Sequence, residues 1–236
     1  MLEFLLYPKS VAVMGASRTA GKVGYAVVTN LVEGGFEGEI VPVNPSGGEL
    51  LGQKFYTSLE EYGKPIEMSV IAVPTAAVKG AVVSSLKAKA KAVVVITAGF
   101  KEVDEEGARL EREIAELCQA AGARLMGPNC LGLINTHHKM NATFATHMPE
   151  AGGISVLSQS GALCAAILDW AAERKLGLAT LLSIGNKADL DETDLLAAFA
   201  DDPETKVIVG YLESIASGDE FIRVAESVAA IKPVVI

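Results

Sequence analysis

A chain of 236 residues has room for one large domain or for two of roughly 100–150 residues each. Its formal net charge of -9 argues against non-specific binding to nucleic acid or to an anionic membrane. Aromatic residues make up only 6%, so the core must come from Val, Ile, Leu and Ala, the composition of buried parallel sheets flanked by helices. A small anionic ligand is still allowed, because backbone N–H groups at helix ends can bind one without a basic surface. Cys118, Cys130 and Cys164 lack any C-x-x-C spacing and read as buried reduced thiols. No apolar run reaches the roughly 18–20 residues of a membrane span. Met1–Leu6 has no basic n-region and too short an apolar core for a signal peptide, so a cytoplasmic location is expected.

Short apolar runs alternate with helical patterns. Ser10–Gly15 is a strand, followed by a helix from about Lys22 to Glu33, a strand over Glu39–Val43 and a strand over Met68–Val73. A helix from about Ala76 to Lys87 leads to the strand Ala92–Thr97. Asp104–Ala121 is the clearest helix, with Leu110, Ile114, Leu117 and Ala121 on one face. A fifth strand starts at Arg124–Met126. This order implies a parallel, right-handed doubly wound sheet.

From Gly127 to Gly153 the period is lost, and all three histidines fall there. This stretch reads as a crossover between two domains, 1–147 and 148–236. The alternation then restarts with strand Ile154–Leu157, helix Gly161–Arg174, strand Ala179–Ile184 and helix Glu192–Ala200. Strand Val207–Leu212, helix Asp219–Ala230 and strand Pro233–Ile236 complete it. A last strand with nothing to cover it suggests a piece of a longer protein.

Gly15-Ala16-Ser17-Arg18-Thr19-Ala20-Gly21-Lys22-Val23-Gly24 joins the first strand to the first helix, where a Rossmann-type fold places a phosphate. It is not G-x-G-x-x-G, and the second strand ends in Asn44-Pro45 without the acidic residue that holds a ribose. A nicotinamide cofactor is disfavoured; a non-NAD anion or nucleotide site and a purely structural turn are the remaining readings. A ligand would lie over the carboxyl ends of the strands, at Gly15–Ser17, Asn44–Pro45, Val73–Thr75, Thr97–Gly99 and Gly127–Asn129.

Ser158-Gln159-Ser160-Gly161 sits at a second strand-to-helix turn. It lacks the first glycine of G-x-S-x-G, and no histidine follows His147 to complete a hydrolase triad. An anion cradle of two hydroxyls and free N–H groups, from Ser158, Ser160 and Gly161, accounts for it better. Asp189–Asp194 resembles a metal loop, but Asp194 and Ala200 stand where an EF-hand needs Gly and Glu. Asp191 reads instead as a helix N-cap, and no metal site is expected.

The series Gly21-Lys22-Val23-Gly24-Tyr25, Val43-Asn44-Pro45, Val73-Pro74, Gly127-Pro128-Asn129, Ser158-Gln159-Ser160-Gly161 and Gly185-Asn186-x-x-Asp189 resembles the NDP-forming acyl-CoA synthetases, relatives of the succinyl-CoA synthetase α subunit. Asp194 and Asp202-Pro203-x-Thr205 extend the likeness over essentially the whole chain. The resemblance implies an α/β protein with an N-terminal CoA-binding Rossmann-like domain followed by a flavodoxin-like, succinyl-CoA synthetase-like domain, incomplete at its C-terminus. It implies a ligase reaction in which acyl-CoA, phosphate and ADP give acid, CoA and ATP through an acyl-phosphate and a phosphohistidine. ATP or ADP and Mg would act only through an ATP-grasp domain or subunit outside this chain, and an oligomer is expected.

Carried over by position, CoA would meet Gly15, Ala16, Ser17, Lys22, Val23, Gly24, Asn44, Pro45, Val73, Pro74, Thr97, Ala98, Gly99, Pro128 and Asn129. Glu213 resembles the carboxylate that orients the active histidine; a polar cap on a strand end is its alternative. Two departures stand out. Ser46 occupies a position where many relatives carry a basic residue, leaving Arg18 or Lys22 to supply charge. The family's phosphorylated histidine follows the strand that ends this sequence, so the 236 residues alone are expected to be inactive. His137 and His138 read as solvent-facing loop residues. A non-catalytic CoA-binding module, such as the synthetase-like part of a protein acetyltransferase, is the competing reading.

Overall fold

The computed structural model describes residues 2–236. A short helix α1 (Glu3–Leu6) precedes β1 (Ser10–Met14), α2 (Val23–Glu33) and β2 (Glu39–Val43). A small hairpin, β3 (Gly48–Leu50) and β4 (Gln53–Phe55), and α3 (Leu59–Tyr62) follow. Next come β5 (Met68–Ile71), α4 (Thr75–Lys87), β6 (Ala92–Val95), α5 (Glu105–Ala120) and β7 (Arg124–Met126). The five long-range strands pair in parallel in the order β2-β1-β5-β6-β7, as a doubly wound sheet requires. Every residue of β1, β5 and β6 is buried, because helices cover both faces. Asp104 caps α5 by accepting the Gly107 N–H at 2.7 Å, which fixes the helix start where the sequence pattern put it.

The segment expected to be a crossover between domains contains a hairpin, β8 (Gly132–Asn135) and β9 (Met140–Thr143). Its strands are short and buried throughout, so they carry no apolar–polar alternation to betray them. The second sheet continues with β10 (Ala151–Ser158), α6 (Gly161–Arg174), β11 (Leu178–Ser183), α7 (Glu192–Asp201), β12 (Val207–Tyr211), α8 (Gly218–Ala229) and β13 (Val234–Val235). Its order is β13-β12-β10-β11-β8-β9, parallel except for the hairpin. Strands of this sheet therefore begin at Gly132, well before residue 148, while Asn30 Nδ2 of α2 donates to Thr143 O and Ala145 O at the hairpin's edge.

The two sheets are not independent. One continuous apolar cluster runs from Val11, Val27 and Val70 of the first to Leu157, Leu182 and Phe199 of the second. Polar ties reinforce it. Arg124 on β7 pairs with Asp189 and Asp194 at 3.0 and 2.7 Å, and Leu190 N–H donates to Leu125 O. Asn186 N–H and Ala188 N–H reach Pro128 O and Gly127 O. Tyr7 Oη donates to Asp202 at 2.6 Å. The carboxyl ends of the first sheet are thereby held against the start of α6.

Candidate functional site

The strand-to-helix turns of the first sheet line one side of a cleft of about 1110 Å³. From the first turn come Gly15, Ala16, Ser17, Lys22, Val23 and Gly24. Gly15 has a φ of 89°, and a Cβ there would sit 2.6 Å from Ala72 O; only glycine lets the chain turn so close to the next strand. A Cβ on Gly24 would collide with Gly15 O, so α2 can approach the turn only because this residue has no side chain. Lys22 begins α2 without a side-chain cap. Among the described residues the Val23 and Gly24 N–H groups have no acceptor, so they open onto the cleft at the positive end of the helix.

Asn44 and Pro45 extend this wall, where Asn44 Nδ2 donates to Ala16 O at 2.6 Å and fixes the two turns together. Val73 and Pro74 follow, with Thr97 and Ala98 beside them. Thr97 Oγ1 donates to Val73 O at 2.7 Å, and Thr75 Oγ1 donates to Ala98 O at 2.9 Å. Asn129 completes the row at a φ of 58°, which asparagine tolerates, its N–H bound to Thr97 O. Two expected residues do not line the cleft. Gly99 gives its N–H to Glu102, and buried Pro128 accepts the Asn186 N–H, so both support the rim without lining it. Arg18 lies against Gly48 of the β3–β4 hairpin, outside the cleft. Lys22 is the one charged side chain in the lining.

The opposite wall belongs to the second sheet: Gln159, Gly161, Ala162 and Ala165 at the start of α6, with Phe144 from the hairpin's end. Here the geometry revises the expected cradle. Ser158 Oγ is buried and spent locally, accepting the Ser160 N–H at 3.0 Å and donating to Ser160 O at 2.9 Å. Ser160 Oγ caps α6 by accepting the Leu163 N–H at 3.2 Å, which leaves its own proton for another acceptor. Neither hydroxyl lines the cleft. What does face it are the Gly161 and Ala162 N–H groups, which have no acceptor among the described residues. Two helix N-termini, α2 and α6, thus present free N–H groups to one cleft, a ready arrangement for anionic groups.

Glu213 stands on the exposed loop after β12, next to this wall. Its N–H and that of Ser214 both donate to Gln159 Oε1, at 2.6 and 3.0 Å, and its carboxylate is free of partners among the described residues. Nothing local in the sequence marks the role of Gln159, because it depends on residues 54 and 55 positions away. Cys130 and Leu131 also line the cleft unforeseen. Burial pushes the thiols of Cys118, Cys130 and Cys164 up to about 12, so none is a thiolate near neutrality.

The histidines stay out of the site. His138 is not solvent-facing: it packs edge-on against Tyr7 and Phe36, with Nε2 2.8 Å from Pro8 O. His137 is exposed beside Gly152 O, and His147 lies by Thr146 and Leu168 O. Asp191 caps α7 through the Thr193 and Asp194 N–H groups, while Asp189 and Asp194 are engaged by Arg124.

Two domain families match the chain in turn. Residues 9–136 match a CoA binding domain and residues 151–236 a succinyl-CoA ligase like flavodoxin domain. The chain is 46% identical over 235 residues to the ADP-forming acetate–CoA ligase I of Archaeoglobus fulgidus, covering 100% of this chain and 34% of that protein. It is 42% identical over 239 residues to the α subunit of the ADP-forming acetate–CoA ligase I of Pyrococcus furiosus, covering 100% of this chain and 52% of that subunit. The solved dinucleotide-forming acetyl-coenzyme A synthetase 1 of Candidatus Korarchaeum cryptofilum, in complex with phosphate and ADP, superposes with a TM-score of 0.95 at 40% identity, covering 99% of this chain and 50% of that one. The chain therefore spans between a third and about half of the length of these relatives. It belongs to the family that joins a CoA-binding domain to a succinyl-CoA ligase-like flavodoxin domain, and it corresponds to the α portion of the ADP-forming acyl-CoA ligases.

Proposed function

We propose that this chain holds CoA in the cleft between its two sheets, as the α-type portion of an NDP-forming acyl-CoA synthetase. The whole enzyme would convert acyl-CoA, phosphate and ADP to acid, CoA and ATP. The observation that carries this reading is the pair of helix N-termini with free N–H groups, Val23–Gly24 and Gly161–Ala162, facing one cleft with Lys22 as its single charged side chain. A cleft of 1110 Å³ exceeds the roughly 300–1,000 Å³ of common small-ligand sites and suits a long ligand. Gly15–Ser17, Lys22–Gly24 and Asn44–Pro45 would take the phosphate-bearing part of CoA. Val73–Pro74, Thr97–Ala98 and Asn129 would flank the thiol-bearing arm, with Gly99 and Pro128 in support.

The Gly161 end of α6, with the free proton of Ser160, would receive inorganic phosphate or the phosphorylated histidine. Glu213 would orient that histidine, which a segment outside these 236 residues would supply. ATP or ADP with Mg would be handled by an ATP-grasp partner. In this chain's own terms the chemistry is binding and orientation: fixed N–H dipoles stabilise phosphoryl charge without reorganising during transfer. Isothermal calorimetry with CoA and with NAD tests the reading on this chain. CoA is expected to bind and NAD to give no heat above dilution; binding of NAD alone would overturn it.

A further inference from the structure

The loop that carries Glu213 is exposed, yet it is fastened by side chains buried far more deeply than the loop itself. Lys187 and Glu192 form an ion pair at 2.9 Å with side chains only 8% and 0% exposed. Lys187 Nζ also donates to Ser214 O at 2.8 Å, and Glu192 Oε1 accepts the Ala216 N–H at 2.6 Å. Burial opposes the Glu192 charge, but the Ala216 N–H and the Lys187 ammonium outweigh it and keep the carboxyl below its ordinary range. A buried ion pair is a poor way to gain stability, since apolar residues of similar size often serve as well. Its distinguishing property is fixed direction: here it grips a carbonyl and an N–H two residues apart on one short loop. The grip is tied to the support of the cleft rim, because Asn186, the neighbour of Lys187, gives its N–H to Pro128 O.

We infer that Lys187 and Glu192 are positioning residues that hold the Glu213–Ala216 loop, and with it the Glu213 carboxylate, in register with the Gly161 end of α6. This rests on the reading of Glu213 as the carboxylate that orients a phosphorylated histidine. Lys187→Met alone would strand a buried carboxylate and risks loss of the fold. The charge-free double variant K187M/E192L avoids that. In this chain, hydrogen exchange at the Ser214 and Ala216 amides is expected to quicken about tenfold or more, because the Ala216 N–H loses its acceptor and the loop loses the donor to its Ser214 carbonyl. CoA affinity by calorimetry should not change. In the complete synthetase, ATP-dependent phosphorylation of the histidine is expected to slow by about tenfold to a hundredfold, the scale of a misplaced catalytic group. Unchanged exchange at Ser214 and Ala216 would overturn the positioning role. Faster exchange with undiminished phosphorylation would overturn the reading of Glu213 on which the role depends.

Discussion

The two turns that face each other across the cleft use glycine for different reasons. In the first, Gly15 and Gly24 are demanded by the protein's own packing: a Cβ on either meets backbone of a neighbouring segment. In the second, a Cβ on Gly161 would find Leu131 Cβ and Ser183 Oγ no nearer than 3.8 Å, which is ordinary contact. The protein's own packing does not demand glycine there. The fold thus requires the glycines of one wall and not that of the other.

Substitutions can break this contrast. Gly24→Ala has the largest expected effect, since the α2 turn must shift; overpacking of this kind costs about 1–3 kcal/mol. Both the thermal midpoint and CoA binding should fall. Lys22→Gln should leave the midpoint alone while weakening CoA about tenfold, the loss of one charge-assisted hydrogen bond, with a shallower salt dependence of affinity. Gly161→Ala should hold or raise stability by up to about 1 kcal/mol, because alanine favours the helix. Phosphate binding should nevertheless weaken, as followed by phosphorus NMR. A Gly161→Ala variant as destabilised as Gly24→Ala would erase the distinction between the walls.

A smaller effect concerns the tie between the N-terminal segment and the second sheet. Burial, with the hydrogen bond to Asp202, raises the Tyr7 hydroxyl to about 12 from an ordinary value of 10.0. The folded state therefore favours the protonated phenol: its contribution is complete below pH 10.0 and fades as pH rises through about 12. The buried thiols titrate in an overlapping range, so the wild type alone cannot isolate it. The difference in midpoint between wild type and Tyr7→Phe should shrink across that alkaline window, as differential scanning calorimetry would record.

The first wall was readable from the sequence because glycine, proline and asparagine punctuate the carboxyl ends of β1, β2, β5, β6 and β7. Local backbone demands leave local marks. The β8–β9 hairpin was missed because its strands of 4 residues are buried on both faces and so lack any period. The Ser158 hydroxyl satisfies its own turn and the Ser160 oxygen caps α6 with its proton left over, a difference set by rotamers that composition does not encode. Gln159, Lys187 and Glu192 were invisible as a group, since their partners on the Glu213 loop are brought near only by the parallel pairing of β10 with β12.

The two walls of the cleft are proposed to hold different groups, CoA on the first and a phosphate on the second. Amide hydrogen exchange of this chain, free and with CoA or inorganic phosphate, tests that division directly. Slower exchange is predicted at Val23–Gly24 with CoA and at Gly161–Ala162 with phosphate, with the buried strand β5 unaffected. Exchange at Val23–Gly24 that CoA leaves unchanged would contradict it.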